Sequence, residues 1–205
     1  MRCWDTRVLP HLINAFCGLP GVDKLRRPVC EGLYGDVLEI GFGSGLNVPH
    51  YPPAVRSVTA VEPSDEGWRL SARRRAASPV EIRRGDLDGQ HLDEPDGRYD
   101  CVLSTFTMCT IPDVQLALSE IRRVLRPDGE LHFLEHGLAP DPGVQRWQHR
   151  LDPLQQRLVG GCHLARPIAD LLTDAGFLPV EMERFYGLGP KALGYLYLGR
   201  ATPTG

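Results

Sequence analysis

The sequence predicts a single-domain α/β protein built on a doubly wound, mostly parallel sheet. Two observations predict it: short β-branched runs end in acids or glycines, and helical stretches alternate with them along 205 residues. Strand, helix, strand in that order places neighbouring strands parallel, and ligands of such open sheets bind at the strands' carboxyl ends. A third observation, a glycine-rich loop straight after the first strand, marks where the ligand lies.

The first strand is Val37-Leu38-Glu39-Ile40, and it runs into Gly41-Phe42-Gly43-Ser44-Gly45. Alternate glycines let a ligand rest against bare main chain. A dinucleotide fingerprint needs its third glycine at position 46, where Leu46 stands, so the loop reads as a site for another nucleotide cofactor. The second strand, Ser57 to Val61, ends in Glu62. A βαβ unit brings that acid near the glycine loop, where its carboxylate can accept both ribose hydroxyl protons. The third strand is Val80-Glu81-Ile82-Arg83, closed by Gly85-Asp86. The fourth is Tyr99 to Leu103, followed by Ser104-Thr105-Phe106. Val114, Leu118, Ile121 and Leu125 then recur at helical spacing behind the cap Asp113. The stop Pro127-Asp128-Gly129 leads into the fifth strand, Glu130 to Leu134.

After the fifth strand comes Glu135-His136-Gly137 and an insertion in which Val144, Trp147, Leu151, Leu154 and Leu158 keep helical spacing. Asp152-Pro153 reads as a cap and restart that divides this helix in two. Trp147 and the leucines suit a lid packed onto the sheet. A last helix closes at Ala175-Gly176.

A formal charge of -3 argues against a general nucleic-acid binder, and Arg73-Arg74-Arg75 with Arg83 and Arg84 reads as a solvated face. The apolar stretch Val8 to Phe16 is broken by Pro10 and His11 and falls short of the ~20 residues a bilayer span needs. With neither a membrane span nor a secretory leader, a cytoplasmic location is expected. Six cysteines without a C-x-x-C pair point to free thiols and to no metal site.

The string E-x-G-x-G-x-G from Glu39 to Gly45, with Glu62 and Asp86 behind it, resembles the class I S-adenosylmethionine-dependent methyltransferases. The resemblance implies a Rossmann-like sheet of seven strands, the last antiparallel, with a helical lid after strand five. It implies S-adenosyl-L-methionine as cofactor and S-adenosyl-L-homocysteine as product. Glu39 would then orient the methionine end, Glu62 the ribose and Asp86 the adenine amino group, with Leu87 beside the ring and Asp88 a weaker choice than Asp86. Gly41, Phe42, Gly43, Gly45, Pro63, Ser104 and Thr105 complete the expected cofactor site.

A narrower resemblance rests on Phe133-Leu134-Glu135-His136, Trp147-Gln148, Pro153-Leu154, Gly161-Cys162-His163-Leu164-Ala165-Arg166 and Ala175-Gly176-Phe177. Together with the glycine loop this is similar to the thiol S-methyltransferase-like proteins over roughly positions 34 to 180. Animal members carry an apolar amino-terminal anchor that this sequence does not show. The sheet, though less so the insertion, also resembles ubiquinone/menaquinone-type C-methyltransferases.

The expected activity is methyl transfer to a small molecule, with a thiol favoured. The alternatives are C- or O-methylation of a quinol-like or phenolic molecule, a non-catalytic S-adenosylmethionine-binding module and, disfavoured by Leu46, a nicotinamide oxidoreductase. An Asn/Asp-Pro-Pro-Tyr/Phe motif for exocyclic amines is replaced by Ser104-Thr105-Phe106. His136 is the candidate base, since imidazole titrates near neutrality, and a structural hydrogen bond is its other reading. Phe106, Met108, Trp147, Cys162 and His163, with Leu12 and Phe16, are the candidate acceptor-binding residues, although Cys162 suits a buried apolar position better than a chemical role. The expected layout is an amino-terminal helical cap (1–33), a cofactor-binding core (34–135), an insertion with the last helix (136–176) and terminal strands (177–202).

Overall fold

The computed structural model describes residues 4–187 and 189–204, so Cys3 lies outside the described residues. The amino-terminal segment is helical: a π-helical turn, Trp4–Val8, then α1 (Leu9–Cys17), α2 (Pro20–Asp23) and α3 (Arg26–Cys30). The core follows as β1 (Gly35–Ile40), β2 (Val55–Val61), α4 (Asp65–Leu70), α5 (Ala72–Ala77), β3 (Glu81–Arg84), β4 (Tyr99–Thr105), α6 (Val114–Val124) and β5 (Leu125–His136). Helices α7 (Pro142–Leu158) and α8 (Ile168–Asp174) precede β6 (Phe177–Tyr186) and β7 (Tyr195–Pro203).

The seven strands form one sheet in the order β3-β2-β1-β4-β5-β7-β6. β7 is antiparallel to both neighbours and the other pairings are parallel. The order reverses between β1 and β4, so a crevice opens at the carboxyl ends of those two strands. β4 is buried along its whole length, its polar Asp100, Ser104 and Thr105 included, as expected for a strand covered on both faces. Apolar side chains fill both faces: Leu118, Ile121 and Val124 of α6 meet Leu38, Val102 and Phe133 on one side, and Val29, Cys30 and Leu33 meet Val37, Val58 and Leu103 on the other. Asp113 caps α6 as expected, accepting the Leu116 N–H at 3.0 Å.

One expected break is absent. α7 continues through Pro153 as a single helix. Asp152 does not cap a restart, because its carboxylate is held sideways, accepting the Leu164 N–H at 2.5 Å and a Gln156 amide N–H at 2.6 Å. Pro153 is exposed on the outer side, where its ring meets solvent. The arginine run is likewise not simply solvated: Arg75 stacks 3.7 Å over the Trp68 ring, and Arg74 donates to Asn14 of α1 and to the Ser44 carbonyl. Among the described residues, no helix is long and apolar enough to cross a membrane.

Candidate active site

A cavity of about 620 Å³ opens at the carboxyl ends of β1, β2 and β4. Its floor is the glycine loop, and two glycines there do different things. Gly41 has φ +72°, and a Cβ on it would collide with the Thr107 side chain, so the residue is required by the fold. Gly43 has φ +55°, and a Cβ there would approach nothing nearer than the Gly41 carbonyl at 3.8 Å, so the space above it is left for a ligand.

Glu62 stands beside this loop. Its carboxylate accepts the Gly43 N–H at 2.5 Å and the Ser64 N–H at 2.7 Å, which sets its orientation. Burial pushes its pKa up, and the two N–H bonds pull the other way. Gly41, Phe42, Gly43, Pro63, Leu87 and Thr105 also line the cavity.

Other expected cofactor residues lie off the wall. Gly45 is packed among Ser71, Val48 and Phe42. Glu39 is buried one layer down, where it accepts from Asn47 Nδ2 at 3.0 Å and from the Tyr51 hydroxyl. Burial raises its pKa to about 7 against the opposing pull of those two bonds and of Arg26. Ser104 is turned to Glu135, to which it donates at 2.8 Å. Asp86 accepts the Asp93 N–H at 3.0 Å, and the cavity presents Leu87, Asp88, Gly89 and Gln90 instead. Asp88 thus stands on the wall where Asp86 was expected.

Two lining residues had no signal in the sequence. Arg26 of α3 is only 3 % exposed and donates to Asn47 Oδ1 at 2.7 Å and to Thr105 Oγ1 at 3.3 Å, while its Nε has no partner. Asn47 bridges Arg26, Thr105 and Glu39. Both look like ordinary polar residues in the chain, because their partners come from four separate segments.

The outer half of the cavity is apolar. Leu9, Ile13 and Cys17 project into it from one face of α1, and Ile111, Pro112, Val159 and Gly160 face them. Phe106 lines it with φ +54°, a strained conformation for a bulky residue and one that clusters at functional sites. Leu12 and Phe16 lie on the adjoining, exposed side of α1, so a one-residue offset separates the predicted pair from the lining one.

The remaining acceptor candidates do not line the cavity. Met108 is buried in the core, and Trp147 is 57 % exposed on the outside of α7. His163 pairs with Gln156 at 3.0 Å and Asp152 at 3.4 Å. His136 lies behind the wall with Nδ1 3.7 Å from Cys162 Sγ, and Cys162 Sγ lies 3.4 Å from Cys109 Sγ. The contact with Cys109 and the adjacent His136 lower the pKa of the Cys162 thiol against its burial. Burial works against a charged His136, yet Cys162 and Glu135 raise its pKa overall.

Residues 38–133 match the family described as a methyltransferase domain. The chain is 31% identical over 176 residues to the human thiol S-methyltransferase TMT1B, covering 77% of this chain and 68% of that protein. It is 36% identical over 112 residues to phosphatidylethanolamine N-methyltransferase of Cereibacter sphaeroides, about half of each chain. The YcgJ protein from Bacillus subtilis superposes with a TM-score of 0.67 at 15% identity, over 89% of this chain and 97% of that one.

Proposed function

The chain belongs to the class I S-adenosylmethionine-dependent methyltransferases, in the family of the thiol S-methyltransferases TMT1A and TMT1B, and from this premise we propose that it methylates a small apolar thiol. The observation that carries the substrate class is the cavity's apolar outer half, built from α1 and the end of α7 in a relative of thiol methyltransferases.

The residues present fit the cofactor. Gly43 leaves bare main chain, Glu62 has a preset carboxylate, and Arg26, which lines the cavity, keeps a buried Nε–H without a partner. In this reading Glu62 accepts from the ribose hydroxyls, Arg26 pairs with the amino-acid carboxylate, and Leu87 to Gln90 cover the adenine. Glu39 acts at one remove, holding Asn47 and through it Arg26 and Thr105. In this reading residues 34–135 supply most of the cofactor site, joined by Arg26, and the amino-terminal helices with 136–176 supply most of the acceptor end, joined by Ile111.

When bound, S-adenosylmethionine supplies an electrophilic methyl group on a sulfonium. The protein's own contribution is to hold a nucleophile in line and exclude water, and positioning of this kind is worth up to ~7–11 kcal/mol in well-oriented systems. Leu9, Ile13, Ile111 and Val159 are suited to seat an apolar acceptor and keep solvent out. A thiol with a pKa near ~8.5 needs only modest help to ionise. His136 affects the reaction in this reading by shaping the wall of residues 107–110 rather than by touching the acceptor.

Incubating the purified protein with S-adenosylmethionine and a panel of alkyl thiols, phenols, quinols and amines, and measuring S-adenosylhomocysteine, tests the proposal. Thiol-dependent product is expected. Product formed with phenols or quinols and not with thiols replaces the thiol by those acceptors.

A further inference from the structure

None of Cys109, His136 and Cys162 lines the cavity, and the sequence contains no spacing that announces the trio. Cys109 follows β4, His136 ends β5, and Cys162 sits in the loop between α7 and α8. Their ligand atoms all lie within 4.8 Å of one another, with Sγ–Sγ at 3.4 Å and Sγ–Nδ1 at 3.7 Å. A tetrahedral zinc ion bonds sulfur at ~2.3 Å and nitrogen at ~2.0 Å, which separates neighbouring ligand atoms by about 3.5–3.8 Å. Two of the separations already lie within a few tenths of an ångström of those values, and the third, within 4.8 Å, closes by a small shift of one side chain.

Each ligand-bearing segment is held by bonds independent of an ion. The His163 N–H donates to the Cys109 carbonyl at 2.8 Å, tying the Cys162 loop to the Cys109 loop. Arg166 donates to the carbonyls of Met108 and Ile111 on either side of Cys109. The buried Gln148 amide donates to the Gly137 and Leu164 carbonyls at 2.9 and 3.0 Å, joining the end of β5 to the same loop. Pre-tied segments of this kind lower the ordering cost of binding.

We propose that Cys109, His136 and Cys162 form a binding site for one zinc-class divalent cation, behind the acceptor wall and separate from methyl transfer. Two thiolates and an imidazole select a borderline-soft metal over magnesium or calcium. Two thiolates and a neutral imidazole around a divalent ion also sum to zero charge, so the buried site avoids the cost of an isolated charge. Each thiol passes its proton to solvent as its sulfur–metal bond forms, and one position of the tetrahedron is left for water. The ion would tie the Thr107–Pro112 loop to the α7–α8 loop, two segments that contribute Thr110, Ile111 and Gly160 to the cavity.

The test is titration of the metal-stripped full chain, reduced with a phosphine, first with Co(II) as a spectroscopic probe and then with Zn(II). One equivalent of Co(II) should bind with a thiolate-to-cobalt charge-transfer band and tetrahedral visible bands, and Zn(II) should displace it. Cys162→Ser and Cys109→Ser should weaken Zn(II) binding by more than roughly 100-fold, beyond what losing a supporting partner costs, whereas Cys101→Ala should not. The wild-type titration stands whether or not a serine variant folds. Absence of the charge-transfer band in the freshly reduced protein, or its survival in both serine variants, overturns the proposal. Recovery of Cys109 and Cys162 as a disulfide with no metal bound does so in favour of a redox pair.

Discussion

Single residues in this site carry separable loads, and substitution tells them apart. Gly41→Ala should depress the melting temperature sharply, because its Cβ collides with Thr107 in a left-handed backbone. Gly43→Ala should cost only the ~1–2 kcal/mol of the left-handed conformation while weakening S-adenosylmethionine binding, read by calorimetry. Glu62→Ala and Arg26→Ala should each raise the cofactor dissociation constant by roughly 10- to 100-fold, the worth of a charged hydrogen bond at about 1.5–3 kcal/mol. Unchanged affinity in both would remove them from the cofactor site. Glu39 adds a pH signature. Its pKa is raised by burial to about 7, above the unfolded value near ~4.3. The folded state therefore holds an extra proton between those values, and this group's stabilisation is fully present below about pH 4 and lost as pH rises through 7. Urea unfolding of Glu39→Gln should show a shallower fall in stability from pH 5 to 7 than the wild type.

At the scale of elements, α7 carries the clearest conflict between local preference and tertiary context. Pro153 removes an N–H from a helix interior, a change worth roughly 3 kcal/mol against alanine, yet the helix runs on to Leu158. Two ties hold it: the buried Gln148 amide docks its first half onto the β5 loop, and Asp152 caps the Leu164 N–H. Pro153→Ala should raise the urea midpoint without altering turnover. A lower midpoint would mean that the proline ring stabilises α7 in a way its exposure does not suggest. Helix α1 shows the complementary point, since only one of its apolar faces meets the cavity and the face with Leu12 and Phe16 is exposed.

For the whole molecule, the cavity is a product of chain ends meeting strand ends. Residues near positions 9–17, 41–67, 87–90, 105–112 and 159–160 converge on it, and Arg74 and Glu66 clasp α1 to the nucleotide side through Asn14 and His11. Cofactor and acceptor halves should therefore respond separately. Ile13→Ala should raise the acceptor KM by about 10-fold, the scale for lost apolar contact in a pocket, with the cofactor dissociation constant within roughly twofold of wild type. A change in cofactor affinity as large as that in KM would show that α1 covers the cofactor rather than the acceptor.

The alternation of strands and helices, the glycine loop and the Glu62 position were all legible in the sequence, because periodicity and glycine placement are local and a βαβ unit has one hand. The reversed β7 was expected only through the resemblance. Which side of a residue faces the cavity was decided by packing. Asp86 and Asp88 differ by two positions in a loop without a period to orient them, and Leu12 and Leu9 differ by the rotation of a helix whose two faces are both apolar. Arg26, Asn47 and the Cys109–His136–Cys162 cluster escaped notice because their partners are far apart in the chain. Local sequence sets what each segment prefers to form, whereas long-range burial selects which of its side chains meet, and only the tertiary structure performs that selection.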